Sequence, residues 1–441
     1  MKNIISALDL IDKDDKSSEI TFGEISESKV FLSPDAEFEK GRFVGIFPCM
    51  PPSGDASDPF YYHLNEPNDN EYMVAVLWNG QKYKLEFGKN PHGEFTLSGL
   101  EEELRPIQVN IFKMSEHCYR MYFWAHFHGT PRKVRMLIAE SCDKRHWHII
   151  NNGRPAFCHY SDCMCTAGQF PVSRQCNDAT AIYRRNDGTF EVISAALIHL
   201  DANSNTRYYR KDIWRGYVRV IQRWTGDGLE DWSHPEIIIL PDADDPIDLQ
   251  MYYLCINELP HGNFGWLGRY SAERQSMTME PVWSRDRRNW IRPLRGDYGP
   301  DSNYPITAAA HHMAELGDIF RLYYSRSSGD HNFKTSDGKA ILHEICYADL
   351  NKHRMFGRNM NNAALLSPAL RMVEPSLKLY TSKNADMQFI WRNAFGEVSG
   401  KDIKSFEINP GCWQLDLQDC KPGCTGRLEI RGTGKVFDLE Y

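Results

Sequence analysis

Three carboxylates stand where the chain enters apolar, strand-forming segments, positions from which an acid can do proton chemistry. Asp178 precedes Ala179-Thr180 in the run Gln175-Cys176-Asn177-Asp178. Asp248 lies in Pro246-Ile247-Asp248-Leu249-Gln250-Met251-Tyr252-Tyr253, just after the acidic run from Asp242 to Asp245. Glu280 follows Met277-Thr278-Met279, with Glu273 as a weaker substitute. Carboxyl groups gathered from distant segments can supply one protonated acid and one ionised base, provided their surroundings hold their pKa values apart. Each also has a plain structural reading: Asp178 as a turn cap, and the acidic run before Asp248 as a solvated loop.

Histidines and cations extend the set. His311-His312 and Asp330-His331 could supply a general acid, because imidazole titrates near neutrality, or a hydrogen bond that orients a carboxylate. In His126-Phe127-His128 the two imidazoles alternate and so share one side of a strand, where a loop or ligand contact is favoured over a metal. Arg207-Tyr208-Tyr209-Arg210 and Trp214-Arg215 set guanidiniums among aromatic rings, which suits an anionic ligand such as phosphate and equally suits an exposed, cross-paired strand. The cluster Cys158-His159-Tyr160-Ser161-Asp162-Cys163-Met164-Cys165, with Cys176 beyond it, lacks paired Cys-x-x-Cys knuckles and a following His-x-x-x-His, so packed thiols are expected and no metal. No Gly-x-Ser-x-Gly, P-loop, Gly-x-Gly-x-x-Gly or His-Glu-x-x-His occurs, which argues against those hydrolase, nucleotide and zinc-protease chemistries and leaves no cofactor expected.

The bulk properties narrow the partners. A net charge of −8 with interspersed signs and no basic tract disfavours nucleic acid. No window approaches the ~18 apolar residues of a membrane span, and the opening Met1-Lys2-Asn3-Ile4-Ile5-Ser6-Ala7-Leu8 is too short an apolar run for a secretory signal. A cytoplasmic protein is therefore expected, with most of its 12 cysteines reduced and buried. The sequence leaves its oligomeric state open.

The elements that must position these groups are strands. Tyr119-Arg120-Met121-Tyr122-Phe123-Trp124, Phe190-Glu191-Val192-Ile193-Ser194 and Phe320-Arg321-Leu322-Tyr323-Tyr324 are rich in aromatic and β-branched residues. Asn186-Asp187-Gly188, Gly226-Asp227-Gly228, Ser328-Gly329-Asp330 and Asp337-Gly338 punctuate such runs with turns. Stretches of helical length with 3.6 periodicity are almost absent. A pattern Ser-x-Asp-x-x-x-Trp then repeats, at Ser141 to Trp147 and Ser284 to Trp290, with a copy one residue longer from Thr225 to Trp232. Each copy follows an apolar strand, so Ser and Asp are expected to cap a hairpin turn while Trp opens the next strand. These motifs fix architecture and carry no chemistry.

The expected fold is all-β, a five-bladed β-propeller with a C-terminal β-sandwich. Residues 1–105 are expected to form an N-terminal β-rich segment that contributes to the propeller or packs on it. Residues 106–362 form the propeller itself, and 363–441 the sandwich, where compact strands such as Met387-Gln388-Phe389-Ile390-Trp391 and Gly426-Arg427-Leu428-Glu429-Ile430 take over.

Arg120-Met121-Tyr122-Phe123, Ile138-Ala139-Glu140-Ser141 running into Asp143 and Trp147, and Val282-Trp283-Ser284-Arg285-Asp286 through Trp290-Ile291-Arg292-Pro293 resemble the blade signature of propeller glycosidases, the relatives of glycoside hydrolase families 32, 43, 68, 117 and 130. Gly317-Asp318-Ile319-Phe320-Arg321-Leu322-Tyr323-Tyr324-Ser325 is similar to their fourth blade, and the resemblance covers roughly 105–441. The first-blade Asp of those families has no match near Gln108-Val109-Asn110. The resemblance implies a carbohydrate substrate, a furanoside among the candidates, bound at one mouth of the propeller. It implies Asp178, Asp248 and Glu280 as catalytic carboxylates, and His126, His128, Arg207, Arg210, Trp214, Arg215, His312, Asp330 and His331 as substrate contacts. Two alternatives stay open: a phosphorylase that grips phosphate with Arg207, Arg210 or Arg215, and a propeller that binds carbohydrate without cleaving it.

Overall fold

The computed structural model describes residues 3–13, 18–32, 45–46, 60–63, 73–78, 83–87, 90–101, 104–127, 133–143, 145–154, 156, 180–185, 187–199, 217–229, 231–309, 313–331, 343–399, 403–418 and 420–441. Among them the regular structure is strand throughout, apart from two single 3₁₀ turns at Ala7–Asp9 and Asn151–Gly153. No helix among the described residues is long and apolar enough to cross a membrane.

The strands form successive antiparallel meanders. The first comprises Leu104–Ser115, Cys118–Phe127, Lys133–Ser141 and His146–Ile149. The second comprises Ala181–Arg184, Phe190–His199, Tyr217–Gly226 and Glu236–Ile239. The third comprises Leu249–Leu259, Gly262–Ser271, Ser276–Ser284 and Trp290–Ile291. In the fourth, Ile306–Ala309, Ile319–Ser327 and His343–Asn351 take their outer neighbour, Lys29–Leu32, from the N-terminal region. A leading meander of Phe60–His63, Met73–Trp78, Tyr83–Phe87 and Asn90–Ser98 joins the first by a parallel contact of Thr96 to Ser98 with His146 to His148.

Burial explains why these segments are so apolar. Tyr217–Gly226 is buried from Tyr217 to Trp224, and Leu249–Leu259 is buried at every position but Glu258. A strand covered on both faces needs large side chains at consecutive rather than alternate positions. Side chains on the first strand of one meander also bond the backbone of the next meander's first strand. Asn110 Nδ2 donates to Thr180 O at 3.3 Å while Asn110 Oδ1 accepts from Ile182 N at 3.0 Å. Tyr183 Oη accepts from Ile256 N at 2.9 Å and donates to Leu254 O at 3.3 Å. Tyr253 Oη accepts from Ala309 N at 2.9 Å, and Asn257 exchanges hydrogen bonds with Met313 at 2.8 and 2.9 Å. The first strands of the four meanders are thus neighbours in chain order, each stitched to the next by buried amide or phenol groups whose hydrogen bonds are satisfied.

The repeated turns form as their residues dictate. Asp143 Oδ1 accepts from Arg145 N and His146 N, both at 2.8 Å, and Asp286 Oδ1 accepts from Arg288 N at 2.8 Å and Asn289 N at 2.7 Å. These backbone N–H groups, that of His146 foremost for Asp143 and that of Asn289 for Asp286, hold both carboxyls well below the usual carboxylate range. Asp227 caps the longer copy through Leu229 N at 2.7 Å. Trp147 and Trp232 are buried against the sheets.

The C-terminal strands form a separate sheet in which Thr425–Glu440 is the hub, pairing with Phe356–Leu366, Ser376–Thr381 and Asp386–Asn393, while Cys412–Leu417 and Ile403–Asn409 extend it from Ser376–Thr381. The N-terminal strands Ile4–Ile5, Ile11–Asp12 and Glu19–Phe22 add to this sheet, so the two ends of the chain share one core, with Ile5 and Leu10 packed among Leu365, Leu377 and Leu428. The sequence implies mostly reduced thiols, and among the described cysteines Cys118, Cys142, Cys255, Cys346 and Cys412 are free. Cys420 and Cys424 form a disulfide across Lys421-Pro422-Gly423, a turn that returns the chain on itself.

Where the third meander meets the C-terminal sheet, His261 Nε2 lies 3.8 Å from Asp438 Oδ2, both side chains buried. Burial, then the nearby Asp9, raises the Asp438 carboxyl well above its usual value, and burial lowers His261 to about 4. In the unfolded chain this pair holds one proton between about pH 3.8 and 6.5, on the imidazole. In the folded chain burial favours the protonated Asp438 carboxyl and the neutral His261 imidazole. A carboxyl raised by folding contributes stability at low pH that is lost as pH rises through its folded value. Denaturant unfolding followed upward from about pH 4 is expected to show Asp438→Asn losing less stability with rising pH than the parent. Equal losses would show that Asp438 is ionised in the fold.

Candidate functional site

Strands of a meander alternate in direction, so the heads of first strands and the connections between second and third strands share one end. At that end lie Asp248, ahead of Leu249, and Asp330 and His331, which follow the strand Ile319–Ser327. The Ser-x-Asp-x-x-x-Trp turns occupy the opposite end. Asp178, His128, Arg207, Arg210, Trp214, Arg215, His312 and the cluster from Cys158 to Cys165 fall outside the described residues, and His126 is described only as a strand residue paired with Arg105 and Val134.

Asp248 is buried at the head of the third meander's first strand. Its Oδ2 accepts from Ser271 Oγ at 2.5 Å and from Glu273 N at 3.1 Å, and its carbonyl accepts from Ala272 N at 3.2 Å. The carboxylate thereby ties the strand's entrance to the turn that ends the second strand. Glu273 itself is exposed.

Glu280 sits elsewhere, two strands further out, opposite Leu267 in the third strand. Its side chain is fully buried and its oxygens are engaged by Arg292 Nε at 2.5 Å, Arg292 Nη2 and Gly296 N, each at 3.1 Å, and Arg269 Nε at 2.9 Å. Arg292 also forks onto Asp245 at 2.5 and 2.7 Å, and Arg295 bridges Asp242 and Asp245. Asp242 and Asp244 are exposed, as a solvated loop implies, while the Asp245 side chain turns inward: burial would raise its carboxyl, but Arg292 and the backbone of Asp242 outweigh it and hold it below the usual range. A carboxylate held by two guanidiniums and a backbone N–H is placed to balance charge. Glu280→Gln is expected to destabilise the fold by about 3 kcal/mol, since it takes the buried carboxylate from Arg269 and one of two from Arg292, while leaving the pH profile of any turnover unmoved. Urea unfolding checks the first expectation; a shifted profile would give Glu280 a chemical role.

Beside the head of the third meander lies a polar and aromatic cluster that the sequence reading did not assemble. His331 Nε2 is 3.1 Å from Tyr252 Oη, its ring centroid is 4.9 Å from that of Tyr270, and its N–H donates to Gln275 O at 2.8 Å. The Arg219 guanidinium lies over Tyr252 at 4.7 Å and Tyr270 at 5.7 Å, while Arg219 N donates to Gln250 Oε1 at 2.6 Å. Gln250 Nε2 is buried and has no hydrogen-bond partner among the described residues. Three meanders contribute: Arg219 from the second, Gln250, Tyr252 and Tyr270 from the third, His331 from the fourth. Gln250 and Tyr252 follow Asp248 closely in sequence, and a register slip between Met251 and Tyr253 leaves Tyr252 as the extra residue of a bulge, beside Tyr270. That closeness in sequence was the available signal. Asp330 is half-buried next to His331. Among the described residues no group of three His, Cys, Asp or Glu is placed to hold a metal ion.

No family model matches this chain, and no curated protein does. Among solved structures it is similar to a thermostable family-43 glycoside hydrolase, at 10% identity over 69% of this chain and 89% of that one, with a TM-score of 0.43. It is also similar to the Bombyx mori GH32 β-fructofuranosidase, at 9% identity over 96% of this chain and 93% of that one, TM-score 0.37. A third is an N-acetylgalactosamine deacetylase from F. plautii in complex with blood group B trisaccharide, at 11% identity over 77% of this chain and 97% of that one, TM-score 0.39. At this level of likeness, fold and function are argued from the chain's own residues.

Proposed function

We propose that this chain is a glycoside hydrolase whose meanders are the five blades of a propeller, with the C-terminal strands forming an appended sandwich. Support for the blades comes from the series of hydrogen bonds that stitches each meander to the next, from Asn110 to Met313, and from the N-terminal strand that completes the fourth meander. The observation that carries the function is the cluster of Arg219, Tyr252, Tyr270 and His331 beside the head of the third meander's first strand, where Asp248 lies. Tyr252, Tyr270 and His331 offer ring faces and hydrogen-bonding groups of the kind that grip a sugar. Asp248 at the head of the third meander's first strand, and Asp178, just ahead of Ala181 in sequence, supply the carboxylates, one to protonate the leaving oxygen and one to act across the sugar. Arg207, Arg210, Trp214, Arg215, His126, His128, His312 and Asp330 serve as substrate contacts.

A second reading, a propeller that binds glycan without cleaving it, is favoured by the structural engagement of Glu280 and by Asp248's bonds to Ser271 and Glu273. Aryl glycosides and oligosaccharides, furanosides included, separate the readings when incubated with and without inorganic phosphate. Phosphate-independent release of the aglycone supports the hydrolase. Turnover only with phosphate would make it a phosphorylase, and glycan binding with no turnover of any bound glycan would overturn catalysis altogether.

A further inference from the structure

Two free thiols face each other at the far end of the first meander. Cys118 opens the strand Cys118–Phe127, and Cys142 follows the strand Lys133–Ser141 directly. These strands pair without irregularity from Phe127↔Lys133 to Tyr119↔Ser141, so one further step of the same register sets Cys118 opposite Cys142. The register is pinned one rung inside that pairing and on the same face as the thiols, where Arg120 Nη2 meets Glu140 Oε1 at 2.7 Å. Directly opposed residues of an antiparallel pair hold their Cβ atoms about 4.5–5.5 Å apart. A disulfide asks for about 3.5–4.5 Å, a closure of about 1 Å between two turn residues. Cys142 is exposed and Cys118 partly so, which leaves the pair open to a small oxidant.

We propose that Cys118 and Cys142 form a reversible dithiol switch that closes to a cross-strand disulfide by exchange with a small-molecule disulfide. With oxidised glutathione, the accessible Cys142 thiolate attacks one sulfur and releases the first glutathione as its thiol. Cys118 then attacks Cys142 in the mixed disulfide and releases the second. Two electrons pass from the cysteines to glutathione disulfide, and the two thiol protons end on the two glutathiones. Burial and Glu140 raise the Cys118 thiol above its usual value, and Cys142 adds to the rise, so this second step quickens with increasing pH. Closure makes a covalent ring of the chain from Cys118 to Cys142, which includes the connection carrying His128. The switch stands apart from the functional reading: it fails or holds whether or not the protein cleaves glycosides.

The full chain, incubated natively with excess oxidised glutathione and then digested without reduction, is expected to yield a peptide pair linked through Cys118 and Cys142 and to lose two titratable thiols. Mild reduction is expected to restore both. Cys118→Ser should stop at glutathione on Cys142, and Cys142→Ser should give no crosslink, with circular dichroism confirming that both variants fold. A mixed disulfide that persists on Cys142 in the parent, or two thiols that stay unreacted, would overturn the proposal.

Discussion

Replacing Asp178 by Asn is expected to lower kcat for any glycoside the protein cleaves by about 10²–10⁴ while KM stays within a few-fold. The substitution keeps size and shape and removes only the ability to carry a charge or exchange a proton. An acid or base that acts in the transition state costs kcat when lost, whereas a residue that only holds the sugar in its ground state costs KM. Asp248→Asn tests the partner position and carries a second signature. Its carboxylate also accepts from Ser271 Oγ and Glu273 N, so the amide should lower both turnover and thermal stability. If Asp178→Asn instead raises KM and leaves kcat intact, Asp178 is a binding residue and the acid–base assignment must move elsewhere.

Glu191→Ala is expected to destabilise the protein by about 3–5 kcal/mol, the largest stability loss of any single truncation considered. Glu191 is fully buried on the second meander, where one oxygen pairs with Arg223 Nε and the other accepts from Arg287 Nη1 at 2.6 Å. Arg287 comes from the Ser284-to-Trp290 turn of the third meander, at a left-handed φ of 61°. It extends to Asn263 Oδ1 at 2.7 Å and Glu258 Oε2 at 3.1 Å. Removing the carboxylate takes the one fully buried anion from two buried guanidiniums between neighbouring sheets, leaving Arg287 only Asn263 and the exposed Glu258 and Arg223 only the exposed Glu236, a loss that costs several kcal/mol. Arg287→Met removes one cation but leaves Glu191 paired to Arg223, so its cost should be clearly smaller. Guanidinium chloride unfolding measures both; equal losses would mean that the pair, rather than the triad, is the unit of stability.

What the sequence made legible was local. The Ser-x-Asp-x-x-x-Trp turns fold as their residues imply because Asp143 and Asp286 find their partners two and three residues along the chain. Strand after strand was readable from aromatic and β-branched runs, since sheets covered on both faces demand them. What escaped was long-range. Glu280 looked like an acid on a strand, and nothing nearby in sequence shows whether that strand is first or third in its sheet. Its partners Arg292 and Gly296 arrive from beyond the next turn. The same arginine turns Asp245 from a solvent-facing acid into a buried one. Arg287 seemed an ordinary turn residue, yet it reaches Glu191 in another meander. The pairing of Ile4–Ile5 with Leu439 and Glu440 joins opposite ends of the chain, where no local pattern could announce it. Within the candidate site, Asp248, Asp330 and His331 were legible as strand-head and loop residues. Arg219, Tyr252 and Tyr270 read as strand residues until two neighbouring meanders brought them together.

A crystal structure with the carboxyl carbons of Asp178 and Asp248 both defined gives the most direct measurement. If these two acids work on one glycosidic bond, the separation is about 5–10 Å, with the shorter end favouring a retaining reaction and the longer an inverting one. Carboxyl groups well beyond that span, or turned to opposite faces of the second meander, would contradict a shared catalytic site.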